Sequence, residues 1–118
     1  MLLTKDYKDI LNSKFDFYES IIEEINFINC SNLEIKVFYA FEPYKNKTLK
    51  IIFKDCKEYC VNNSTVIKNK KDYNIVTVHQ EIEGICINED SVLNVTFTTN
   101  FEKDYIKIKC SEICVEII

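Results

Sequence analysis

Six cysteines, one histidine and several paired carboxylates are the residues of this 118-residue chain whose types could do chemistry. Cys56-x-x-x-Cys60 and Cys110-x-x-x-Cys114 have the paired spacing of a four-thiolate zinc site. Neither pair contains the glycine or proline that helps a zinc knuckle turn tightly, and the second straddles a bend in a strand-like pattern. No metal is therefore expected at Cys56, Cys60, Cys110 and Cys114. Cys30, Cys86 and Cys110 lie in strand-like segments, where a reduced thiol serves as a small buried apolar side chain. All six thiols are expected to be free.

His79 is the only histidine, which excludes any triad or metal site needing two. A Cys–His nucleophile pair needs no closeness in sequence, but no local feature marks one, and His79 in NIVTVHQEI is expected at the solvent face or the sheet rim. The carboxylate pairs Glu23/Glu24, Glu81/Glu83 and Glu89/Asp90 sit beside turns or on outward strand positions. Acid–base work needs two carboxylates in one pocket with different environments, so a hydrated surface is expected instead. One glycine cannot build a phosphate-cradling loop. The chain therefore reads as a non-enzyme with no cofactor.

These residues must be carried by elements, and the most regular begin the argument. Leu33, Ile35, Val37, Tyr39 and Phe41 point one way, with Glu34 and Lys36 on the other face, the period of a half-buried strand. Cys30-Ser31-Asn32-Leu33 offers a turn back onto Ile21–Ile28, predicting a hairpin. Residues 15–29 carry two patterns. Ser20-Ile-Ile-Glu23 has the form of a helix capping box, whereas the β-branched content and the tight turn that follows favour a strand. Upstream, residues 4–13 suggest a short amphipathic helix with Thr4 as its N-cap and Tyr7, Ile10 and Leu11 on one face.

Pro43 should end the strand that starts at Leu33. Thr48 to Lys54 is a second clear strand, with Leu49, Ile51 and Phe53 inward, and 55–61 is less regular. Asn62-Asn63-Ser64 reads as a turn, 65–67 as a short strand and 69–72 as a polar loop. Tyr73 to Ile87 is one long strand whose apolar face changes parity at Gly84, the mark of a bulge. Ser91 to Thr99 alternates again, with Leu93, Val95 and Phe97 inward. The tail DYIKIKCSEICVEII changes parity at Ser111-Glu112. Short strands with frequent turns predict a mainly β single domain over residues 1–118. The expected architecture is an antiparallel, strongly curled sheet or a two-sheet sandwich with a short N-terminal helix.

Every one of the 15 basic residues is lysine, and the net charge is −4. Lysine lacks the planar fork that reads guanine, and an acidic chain repels nucleic acid, so no nucleic-acid partner is expected. No apolar run approaches the length of a membrane helix, and MLLTKDYKDI meets charge too early for a signal peptide. A cytoplasmic protein without a membrane partner is the expectation.

Phe17-Tyr18-Glu19-Ser20-Ile21, the following Ile25 and the closing IKIKCSEICVEI resemble a loose group of small bacterial proteins. In that group a Phe-His-Asp-Ser signature opens the first strand, and an alternating apolar strand ending in cysteine closes the chain. Here Tyr18 replaces the histidine and Glu19 the aspartate. Several members look like immunity proteins of polymorphic toxin systems, and others are orphan domains. The resemblance implies a curled antiparallel sheet, no catalysis, and a strand rather than a helix in 15–29.

The expected function is a protein-binding module such as a toxin-neutralising immunity protein, facing a basic toxin domain with Tyr18 and Glu19. Tyrosine supplies a stiff contact surface and glutamate an electrostatic anchor. Equally open from the sequence is Tyr18 packed down under the N-terminal helix. The alternative function is a small-ligand binder or minor enzyme with a pocket in the curled sheet, which His79 and a cysteine would line.

Overall fold

The computed structural model describes residues 1–62, 67–68 and 74–118. Its elements are β1 (Leu2–Thr4), α1 (Lys8–Leu11), β2 (Ile21–Phe27), β3 (Leu33–Phe38), β4 (Thr48–Lys54), β5 (Glu58–Asn62), β6 (Ile67–Lys68), β7 (Ile75–Glu89), β8 (Leu93–Thr99), β9 (Tyr105–Cys110) and β10 (Glu112–Ile117). The strands join in one antiparallel ladder in the order β1-β10-β4-β3-β2-β7-β8-β9-β5, with β6 paired beside β7. The ladder is continuous and does not close, so it is not divided into two separate sheets.

Chain connectivity forces the ladder to bend. β9 and β10 are separated by Ser111 alone, yet they stand six places apart in strand order. In a flat sheet, six steps of ~4.8 Å would put them roughly 29 Å apart. The ladder therefore turns back on itself, and the rings of Phe53 on β4 and Phe97 on β8 meet edge to face at 6.0 Å. Period-two patterning supplies what fills the inside: Ile22, Ile25, Leu33, Ile35, Val37, Leu49, Ile51, Ile82, Ile106 and Ile108 are fully enclosed.

β7 is the hinge strand. Its first half pairs with β2 and its second with β8. The register slips at Ile82/Gly84 against β8, where the apolar parity changes as the pattern requires. Gly84 does not use a left-handed backbone; its one nearby contact for an added Cβ is Thr98 Oγ1 at 3.2 Å. A second slip lies against β2, and there His79 takes the left-handed conformation, φ 51°. The tail bends at Ser111, whose N–H donates to Lys54 O at 3.0 Å.

The helix expected over 4–13 shrinks to the single turn α1. Thr4 ends β1 instead of capping, since its hydroxyl accepts from Asp6 N and donates to Asp9, and Tyr7 stands at the N-cap without a side-chain capping bond, its hydroxyl donating to Glu89 instead. β2 confirms the strand reading for the second half of 15–29, while 15–20 is an irregular run leading into it. β3 ends at Phe38, five residues before Pro43, and the pairing closes one step further on, where Tyr39 N donates to Lys47 O and Asn46 N to Tyr39 O. The inward alternation of Leu33, Ile35 and Val37 runs on through buried Tyr39 and stops there, leaving Phe41 exposed. Glu58–Asn62 forms a strand that the irregular pattern of 55–61 concealed. The turn expected at 62–64, the strand at 65–67 and the loop at 69–72 lie wholly or partly outside the described residues.

Candidate functional site

The segment Phe17-Tyr18-Glu19-Ser20 divides into two anchors and an exposed tip. Phe17 is buried, edge to face with Tyr39 at 5.4 Å and stacked with Phe15 at 6.4 Å. Tyr44 closes the cluster from the β3–β4 loop, stacked on Phe15 at 6.1 Å. Ser20 is fully buried. Its hydroxyl accepts from Ala40 N at 3.1 Å, and its carbonyl accepts from Ile82 N at 2.8 Å. The capping-box reading of Ser20 thus gives way to a tie between the start of β2, β7 and the β3–β4 loop. Buried polar groups are held to such partners because an unmade bond costs ~1–3 kcal/mol.

Between the anchors, Tyr18 is 52% exposed and Glu19 is also at the surface. The staple reading of Tyr18 fails because Phe15 and Phe17, two apart, take the inward positions. Asp16 shapes the approach: its N–H donates to Tyr39 Oη at 2.8 Å and its carboxylate accepts from Tyr18 N at 3.0 Å. Burial pushes the Tyr39 phenol up from its ordinary value, which keeps it neutral in this role. Glu19 holds φ at 66°, with its N–H donating to Ile82 O at 3.0 Å. A left-handed non-glycine residue costs about 1–2 kcal/mol, and strain of this kind gathers at functional positions.

Glu83, on the β7 bulge, separates two surface hollows. One, of about 270 Å³, is walled by Tyr18, Asp16 and Leu11; the other, of about 440 Å³, by Phe101, Glu102 and Tyr105. Leu11 and Phe101 are 49% and 41% exposed, so apolar rings and chains alternate with carboxylates. Among the described residues, Asp16, Glu83, Glu102 and Asp104 line the hollows together with Lys103. The β8–β9 turn carrying Phe101 is bolted to β7 from beneath. Buried Gln80 accepts from Thr99 Oγ1 at 2.8 Å and donates through Nε2 to Asp104 at 2.8 Å, while Glu81 N and Asn100 Oδ1 meet at 3.1 Å. Sequence reasoning missed Gln80, Glu83 and Phe101 as a group; only the bulge parity at Gly84 hinted that β7 bears an irregularity there.

The thiols scatter. Cys30 is exposed in the hairpin turn and Cys86 faces outward on β7, contrary to their expected burial, because each falls on the wrong side of a turn or parity change. Cys60 is exposed on β5, Cys56 is half-buried, and Cys110 and Cys114 are buried. Among the described residues no group of three or more His, Cys, Asp or Glu side chains could hold a metal. Burial, with the nearby Cys56, pushes Cys110 up to about 12. Three thiols are therefore expected to react quickly with Ellman's reagent in the native protein and six after unfolding. Raised in the fold, the Cys110 pKa also means stability is kept below pH 9 and lost as pH climbs toward 12, since only the unfolded thiol ionises there. A native count of six would contradict this placement.

His79 is exposed, and none of the hollows described is lined by it together with a cysteine. The inside of the curl is filled by core side chains, and a further groove of about 420 Å³ lies on the outer side of β8, β9 and β5. Among the described residues no helix is long and apolar enough to cross a membrane. Comparison with protein-family models, curated proteins and solved structures finds no match to this chain.

Proposed function

We propose that this chain is a non-catalytic, cytoplasmic protein-binding module of the immunity type, which masks a basic toxin domain with the surface around Tyr18 and Glu19. The observation that carries the reading is the Tyr18–Glu19 tip, exposed and strained between the two buried anchors Phe17 and Ser20. A fold that spends strain to present a tyrosine and a carboxylate side by side has a use for both. The surrounding carboxylates suit a lysine- or arginine-rich partner, setting orientation and association rate, while Tyr18, Leu11 and Phe101 supply contact area. Masking needs no nucleophile, metal or cofactor. The strong curl and the short helical turn serve this reading by stiffening the platform beneath the tip.

The test begins with a search for a toxin gene beside the one encoding this chain, followed by calorimetric titration of its toxin domain with wild-type protein and with Tyr18→Ala/Glu19→Gly. Glycine removes the carboxylate and relieves the left-handed backbone, so a binding loss cannot be put down to unfolding. Binding is expected to weaken at least ~10-fold, about 1.4 kcal/mol. The melting temperature should move by less than the ~4 °C that 1 kcal/mol represents. Equal binding by both proteins sinks the site, and no binding by the wild type sinks the function.

A further inference from the structure

The two ends of the ladder are built differently. β1, at one edge, has three residues and a broken register against β10. β5, at the other, holds all five residues in unbroken register with β9 and has no strand on its far side among the described residues. Proteins blunt such edges with proline, lysine, bulges or brevity. Glu58-Tyr59-Cys60-Val61-Asn62 has none of the first three.

Tyr59 makes this edge look unfinished. It stands opposite Ile108, and Val61 opposite Ile106, so both face the core side of the sheet. Ile108 and Ile106 are 1% and 0% exposed, whereas Tyr59 is 52% exposed and touches the Phe27 ring at 5.1 Å. An aromatic side chain on the apolar face of an edge strand has half its surface in water.

We propose that β5 pairs antiparallel with β5 of a second copy of this chain, about a two-fold axis at Cys60. The strand is self-complementary in that register. Tyr59 falls opposite Val61 of the second copy, an aromatic–β-branched pair on the core side, and Glu58 falls opposite Asn62, a carboxylate facing an amide. No like charges oppose each other, and Glu58 is already neutralised by Lys109 at 3.2 Å. The ladder then runs through the axis from β9 to β9 of the second copy, covering both Tyr59 rings. A five-residue pairing buries less than a standard ~1,200–2,000 Å² interface, so the dimer is weak and concentration-dependent. A two-fold contact of this kind closes on itself, and the edges left outside it are the short, broken-register β1 strands.

Sedimentation velocity of the full chain over rising concentration reads this directly. The weight-average mass should climb from 14.0 kDa toward twice that value. Cys60→Glu sets two carboxylates against each other at the axis and should weaken association at least ~10-fold with the melting temperature unchanged. Should that variant fail to fold, a short bis-maleimide added to the wild-type protein decides. A cross-linked peptide joining Cys60 to Cys60 can only come from two copies and supports the pairing. A wild-type chain that stays at 14.0 kDa throughout, cross-links running through Cys30 or Cys86 instead, or undiminished association of folded Cys60→Glu each overturns it. The first of those outcomes would leave the edge to a strand from a different protein.

Discussion

Phe53→Ala should cost about 3–5 kcal/mol of unfolding free energy, the largest single loss expected in this chain. Phe53 is fully enclosed on β4, and its ring meets Phe97 of β8 edge to face at 6.0 Å and 81°. These strands stand four places apart in the ladder, so the ring pair exists only because the sheet turns back. Truncation removes the apolar contacts of a whole ring and leaves a cavity between two limbs whose backbones are held by their own ladders. Urea titration followed by far-UV circular dichroism gives the loss, and the Phe53→Ala/Phe97→Ala cycle gives the coupling. A coupling of about 0.5–1.5 kcal/mol is expected for a ring pair of this geometry. A loss under about 1 kcal/mol would mean that these rings do not join the limbs of the sheet.

Gln80→Met comes next, at about 2–4 kcal/mol. Methionine fits the volume but offers neither an acceptor to Thr99 Oγ1 nor a donor to Asp104. Thr99 is only 3% exposed, so its hydroxyl loses that acceptor away from water. Phe101 N donates to the same Thr99 oxygen at 3.3 Å, so the damage reaches the turn that carries Phe101 and Glu102. Two readings should change together: lower stability and faster tryptic cleavage after Lys103. If the variant binds a basic partner less well although Tyr18 and Glu19 are untouched, Gln80 acts by positioning the second hollow. Unchanged cleavage with lowered stability would confine its role to the core.

How far the chain could be read in advance depends on the range of the interactions involved. The β2–β3 hairpin, β4, β8 and the parity changes at Gly84 and Ser111 were legible because each is written within a few residues. Alternation reports which face is apolar, and a slip in alternation reports an extra residue. The 4–13 helix misled because spacing cannot reveal that residues 2–4 find a strand partner in β10, at the far end of the chain. Pairing satisfies their backbone and leaves one helical turn. β5 went unseen for a related reason: an edge strand with one buried neighbour needs no regular alternation.

In the segment Phe17 to Ser20, the sequence alone determined that two aromatic and two polar residues stand together, with Tyr18 open to either an exposed or a packed role. It could not say which of them face inward. Tertiary structure decided that, by bringing Tyr39, Ala40 and Ile82 to Phe17 and Ser20 and turning Glu19 left-handed. The union of Tyr18 with Glu83 and Phe101 belongs wholly to that level. Those residues come from three segments spread over more than eighty positions, and only the bulge in β7 and the Gln80 bolt set them on one surface. Local patterning records where a strand is half-buried; it carries no record of which distant strand lies beside it, because that choice is made by the core as a whole.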